Sequence, residues 1–130
     1  MYTVKEIAQK LDLSEHTIRF YTDKGLVPSV KRDKNNIRLF DEESVNWLTG
    51  VKYLKDCGMS LDDIKRYIYM CLEGDSTINT RYEIILKQRE RAYAQYEEAR
   101  QRMEYMEQKA KHYHDIVNHL IPDDTNPGKW

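Results

Sequence analysis

The chain has 130 residues, 33% of them charged, with a net charge of −1 and a mean hydropathy of −0.84. That length suits one compact domain with an appendage, and the polarity together with the absence of any apolar run near ~18 residues excludes a membrane-spanning helix. The overall charge speaks against a nucleic-acid partner, but between His16 and Phe40 six basic residues (Arg19, Lys24, Lys31, Arg32, Lys34, Arg38) face two acids (Asp23, Asp33), leaving a local charge of +4 against −5 elsewhere. A basic stripe on a near-neutral chain is the electrostatic footprint of a nucleic-acid binder.

Thr3-Val4-Lys5-Glu6 fits a capping box, with Val4, Ile7, Ala8 and Leu11 then marking one apolar face of a short helix. Asp12-Leu13 reads as a tight turn. Ser14 can cap a second helix that carries Thr17, Ile18, Arg19, Phe20 and Tyr21 and stops at Gly25. Two short helices joined this way make a helix-turn-helix. Pro28 disfavours helix at Val27. The run from Val30 to Phe40 is too polar for a core and reads as a hairpin, with Asn35-Asn36 tolerant of the positive φ of a tight turn. Asp41 caps a third helix with Val45, Leu48, Val51 and Leu54 inward, ending near Gly58. Ser60 opens a fourth, with Leu61, Ile64, Ile68 and Cys71 on its apolar face, broken at Gly74-Asp75.

The last segment is the most regular. Ile78, Tyr82, Ile85, Arg89, Ala92, Tyr96, Ala99, Met103, Met106, Ala110, Tyr113, Val117 and Leu120 repeat at spacings of four and three without a slip, and only Arg89 is neither apolar nor aromatic. This is a coiled-coil seam, about 65 Å long at 1.5 Å per residue. A single helix would expose such a stripe, so a partner helix is expected and a homodimer follows. Its Ala, Met and Tyr residues suit closely approaching helices. Pro122 is expected to end the helix, leaving a frayed tail. The expected layout is a DNA-binding domain over residues 1–75, a dimerisation helix over 76–121 and a flexible tail over 122–130.

Four blocks in this chain resemble the MerR family of bacterial transcription regulators: Thr17-Ile18-Arg19-Phe20-Tyr21, Gly25-Leu26-Val27-Pro28, Ile37-Arg38-Leu39-Phe40 and Gly58-Met59-Ser60-Leu61-Asp62-Asp63-Ile64. They occur in the family's order and cover residues 1 to about 75. The resemblance implies a mainly α fold: a winged helix-turn-helix with a small β-hairpin wing, followed by a long dimerisation helix arranged as an antiparallel coil. It implies a dimer on a pseudo-palindromic promoter operator that distorts the spacer and so acts on RNA polymerase through DNA. Thr22 stands where the family often has an acid, and Asn36-Ile37 where its wing usually has glycine. The C-terminal cysteines of metal-sensing members and the large drug-binding domain of others do not occur in this sequence. The stretch Glu73-Gly74-Asp75-Ser76-Thr77, with Arg81 and Leu86-Lys87-Gln88-Arg89, resembles the short aldehyde- or thiol-stress branch. Tyr53 fills the slot of that branch's mid-helix cysteine, which argues against sensing by that thiol.

Arg19 can read guanine bidentately or grip phosphate. His16 and Thr17 open the recognition helix, the end that reaches base edges, with Phe20 beside them, and the Tyr21 hydroxyl can donate to phosphate. In the wing, Lys31, Arg32, Lys34 and Arg38 suit backbone contacts. The alternative reading is an adaptor in which the coil is an assembly surface and the winged domain docks protein, but protein docking does not require arginine at both helix and wing.

The two cysteines form no CxxC and no disulfide framework, and the N-terminus lacks a signal peptide's apolar stretch, so a cytoplasmic, nucleoid-associated protein is expected. Cys71 reads as a small core hydrophobe, and Cys57, at a helix end beside Asp56, stands where a thiol is not activated. His112, His114 and His119 make no chelating set; only Asp115 and His119 share a face, four residues apart. No nucleophile with a positioned base or phosphate-binding glycine loop occurs, so no enzyme, metal or cofactor is expected. A small-molecule inducer, if any, would enter between the third and fourth helices and the partner's coil, where Tyr53, Cys57, Tyr67, Cys71 and Tyr82 form an aromatic, thiol-bearing group that can equally be core.

Overall fold

The computed structural model describes residues 1–130. Five α-helices and one hairpin follow in the order α1 (Val4–Leu11), α2 (Glu15–Asp23), β1 (Lys31–Arg32), β2 (Arg38–Leu39), α3 (Glu42–Asp56), α4 (Leu61–Glu73) and α5 (Ile78–Val117), with 3₁₀ turns at Asp75–Thr77 and Pro127–Lys129. The chain divides into two compact units, Met1–Gln88 and Arg89–Trp130.

Local signals place the helix starts of the first unit. Thr3 and Glu6 form the reciprocal capping box, the Thr3 hydroxyl accepting from the Glu6 amide at 3.2 Å. Ser14, Asp41 and Ser60 cap α2, α3 and α4, each side chain accepting from the amide three residues on. Asp12 closes α1 in the left-handed region at φ 54°, and Lys52 Nζ donates to the carbonyl of Leu11 at the same helix end.

In the wing, Lys31 pairs with Leu39 and Arg32 with Arg38. The turn is held by Asp33, whose carboxylate accepts from the amides of Asn35 and Ile37, while Asn36 takes φ 62°. The wing is anchored by Phe40, which is fully buried and exchanges two backbone hydrogen bonds with Tyr2. The N-terminus thereby adds a third short extended segment. Around Phe40 the core gathers Ile7, Ile18, Leu26, Leu48, Met59, Ile64 and Ile68. Burying these side chains, at roughly 1.5–3 kcal/mol each, is what fixes the wing and the recognition helix on one scaffold.

This unit extends beyond residue 75 because the first turns of α5 pack into it. Ile84 lies against the core, and the buried Gln88 amide donates from Nε2 to the carbonyl of Cys57 at 2.7 Å. Arg81 ties the α4–α5 junction, donating to the Thr77 hydroxyl and the Gly74 carbonyl.

In the second unit, Arg100 bridges Glu97 and Glu104 along one face of α5. The helix stops at Val117, five residues before Pro122. His119 takes φ 58°, its amide donates to Ile116 and that of Leu120 donates to Asp115. This is a left-handed capping arrangement that satisfies the last carbonyls, so proline is not what ends the helix. Leu120 accordingly lies off the helix, and Asp115 and His119 do not share a helical face. The segment after it, read from sequence as frayed, carries contacts of its own: Asp124 meets His112 Nε2 at 2.5 Å, and the Trp130 indole donates to the Asp124 carbonyl.

Candidate nucleic-acid interface

Helix α2 presents its two sides differently. Ile18 and Tyr21 face the core, whereas Glu15, His16, Arg19 and Phe20 are exposed. Tyr21 is only 7% exposed, and burial, with the Asp56 carboxylate as a smaller cause, pushes its phenol above the ordinary value. The residue read as a phosphate donor is therefore a core residue; Phe20 holds the outward position, with the Lys24 ammonium 5.5 Å from its ring centre. Thr17 is half-buried and accepts a hydrogen bond from the Ser14 hydroxyl.

Arg19 lies 3.2 Å from Glu15, one turn earlier on the same helix. Arg38 leaves β2 toward the end of α2, where its Nη2 meets Asp23 at 2.5 Å. Its side chain is 17% exposed and its Nε is buried without an acceptor. Arg38 thus straps the wing to the recognition helix. Arg32 donates to the Asn36 carbonyl across the turn, Lys31 approaches Asp41 at 3.7 Å, and Lys34 is exposed on the turn.

Arg19, Arg32 and Arg38 converge on one groove of about 390 Å³, lined also by Thr3, Val4, Lys5, Glu15, Asn36 and Ile37. It opens between the start of α1, helix α2 and the wing. Lys5 and Glu15 escaped the sequence reading because both lie outside the basic stretch; the packing of α1 against α2 brings Lys5 there, whereas Glu15 stands one turn before Arg19 on α2 itself. His16, Phe20, Lys31 and Lys34 are exposed but do not line the groove. Four cationic side chains around a concave surface suit a polyanion backbone.

A second cavity, about 430 Å³, opens between α3 and α4. Tyr67 and Cys71 line it, together with Trp47, Gly50, Val51, Leu54 and Ile68, with Glu43 and Asn46 among the polar lining. Tyr53, Cys57 and Tyr82, grouped with Tyr67 and Cys71 from sequence, are exposed and do not line it. Burial, with Cys71 alongside, raises the Tyr67 phenol above its ordinary value, and Arg81 Nη1 lies 3.9 Å from Cys71 Sγ. Trp47 went unnoticed because it falls off the simple apolar periodicity of α3.

The seam residues of α5 are uncovered within each unit. In the first, Ile78, Tyr82 and Ile85 are exposed; in the second, Ala92, Tyr96, Ala99, Met103, Met106, Ala110, Tyr113 and Val117 are. Exposed Leu120 follows beyond the helix end. No helix is long and apolar enough to cross a membrane.

A capped helix pair, an outward recognition helix and a basic wing strapped to it define a winged helix-turn-helix protein. The comparisons with known proteins make the assignment more particular. The family model for MerR HTH family regulatory proteins matches residues 2–71. An uncharacterized HTH-type transcriptional regulator of Haemophilus influenzae is 36% identical over 112 residues, covering 86% of this chain and 83% of its own. The regulator AdhR of Bacillus subtilis is 33% identical over 88 residues, covering 68% of this chain and 63% of its own. Among solved structures, HiNmlR, a MerR family regulator lacking the sensor domain and bound to promoter DNA, superposes with a TM-score of 0.82 at 34% identity, over 90% of this chain and 89% of that one. The chain belongs to the MerR family and is a DNA-binding transcription regulator. Of the two readings the sequence left open, this one assigns the winged domain to DNA.

Proposed function

We propose that the chain works as a homodimer on a pseudo-palindromic promoter operator, with α2 in the major groove and the wing along the backbone, and that it controls transcription by distorting the promoter spacer. RNA polymerase then responds to the changed DNA. The observation that carries the dimer is the uncovered stripe of α5, where Tyr96 and Met106 are each 60% or more exposed although their heptad spacing is that of a packed seam. A second copy buries this stripe, and a two-fold dimer calls for a two-fold operator. The arginine groove and the promoter-bound HiNmlR structure support the DNA half of the reading. A small-molecule inducer, where one acts, would enter the apolar cavity between α3 and α4, whose size is ordinary for ligand pockets. The site of action is the cytoplasm, at the nucleoid.

Sedimentation at micromolar concentration, combined with recovery and sequencing of bound genomic fragments, tests this. Wild type sediments as a dimer and enriches fragments with inverted half-sites. Ala99→Asp combined with Met103→Asp gives monomers, because charge buried in the seam has no partner. A monomeric wild type, or enriched fragments without two-fold symmetry, refutes the reading.

A further inference from the structure

Glu15 is out of place in a groove built for a polyanion. Four cations line that groove (Lys5, Arg19, Arg32 and Arg38), and Glu15 is its only carboxylate. It occupies the first position of the recognition helix and is exposed, and its one side-chain partner is Arg19 Nη2 at 3.2 Å. Near DNA phosphates a carboxylate weakens binding to every sequence; in the first turn of α2 it also complements the helix dipole, but the cap itself is supplied by Ser14.

We propose that Glu15 is a specificity-determining residue that positions Arg19. This rests on the DNA-binding role of the winged domain. A guanidinium carries five N–H donors, and one bond from Nη2 to Glu15 leaves a second Nη2 hydrogen and both Nη1 hydrogens free, enough for a bidentate contact to guanine O6 and N7. A free arginine at this place swings to the nearest phosphate, which every sequence supplies. Tethered to Glu15, Arg19 reaches the base edges already oriented and is withheld from phosphate. On a wrong sequence, where Arg19 finds no base partner, the carboxylate stays close to the backbone and repels it. Glu15 therefore lowers affinity for all DNA, and lowers it most for DNA that lacks the base Arg19 reads.

The experiment selects bound duplexes from a fully randomised pool with the full-length wild type, Glu15→Gln, Arg19→Ala and the double variant, then measures salt-dependent affinity for one selected and one scrambled duplex. Thermal melting verifies that all four chains fold. Glu15→Gln binds the scrambled duplex roughly three- to tenfold more tightly, and its salt slope steepens by about one because the freed Arg19 neutralises a phosphate. Its preference at the base pair read by Arg19 weakens. In the Arg19→Ala background the same substitution leaves that base preference unchanged, because the residue through which Glu15 acts is gone. Wild-type base preference and salt slope in Glu15→Gln overturn the proposal, as does an equal loss of preference in both backgrounds. A wild type that enriches no sequence overturns the DNA-binding reading itself, and the proposal with it.

Discussion

Replacing Arg38 separates its role as a strap from its role as a phosphate contact. The guanidinium is 17% exposed and holds Asp23, itself 62% exposed, so solvent screens the pair and its loss costs at most about 1 kcal/mol. Losing the packed stem in Arg38→Ala adds about 1 kcal/mol, whereas removing the buried Nε, which has no acceptor, returns part of it. The net cost is about 1 kcal/mol, a Tm shift of about 4–8 °C for a unit of this size. Asp23→Asn costs a similar amount, because it leaves the guanidinium half-buried without its counter-ion. On DNA the two variants part. Arg38→Ala weakens all sequences alike and flattens the salt slope by about 0.9, while Asp23→Asn tightens low-salt binding by removing an acid and freeing the cation. Thermal melts and salt-titrated fluorescence anisotropy read both quantities. If Arg38→Ala lowers Tm but leaves affinity and salt slope at wild-type values, Arg38 is a strap alone and its phosphate contact is refuted.

Gln88→Ala removes the donor to the Cys57 carbonyl and destabilises the first unit by about 1–2 kcal/mol in urea unfolding; an unchanged midpoint would show that water replaces the bond. Asp41 accepts from the Ser44 amide and hydroxyl, which hold its carboxyl below the ordinary range, so its contribution is complete above about pH 4 and is lost as pH falls through the lowered value. Asp41→Asn should accordingly flatten the acid limb of a stability–pH curve, and an acid limb identical to wild type refutes that account. Cys57→Ser and Cys71→Ser should leave DNA binding and the transcription response to aldehyde or disulfide stress at wild-type levels, measured by in vitro transcription. A response abolished in Cys71→Ser would make the thiol beside Arg81 the sensor.

Much of this protein was legible in the chain because the relevant signals are local. Caps at Thr3, Ser14, Asp41 and Ser60 act over three residues, and apolar spacings of three and four mark the inner faces of α1, α3 and α4. The order of the four family blocks identified the winged domain, and the unbroken stripe on the last helix identified a surface in need of a partner. What lay outside sequence reach depends on which groups meet across long stretches of chain. The periodicity of α2 did not say which of two adjacent aromatics faces inward; packing against the core buried Tyr21 and left Phe20 outside. Asp23 and Arg38 are 15 residues apart, and Cys57 and Gln88 are 31 apart. Lys5 enters the groove only because α1 packs against α2, and the α3–α4 cavity took Trp47 rather than Tyr53 because the helix pair sets which face is enclosed. Even the end of α5 was settled by backbone geometry, a left-handed His119 that satisfied the last carbonyls before Pro122 was reached. Local propensity acts over one turn of helix, whereas the close approach of distant side chains depends on how the whole core excludes water, and that is decided only when the chain folds.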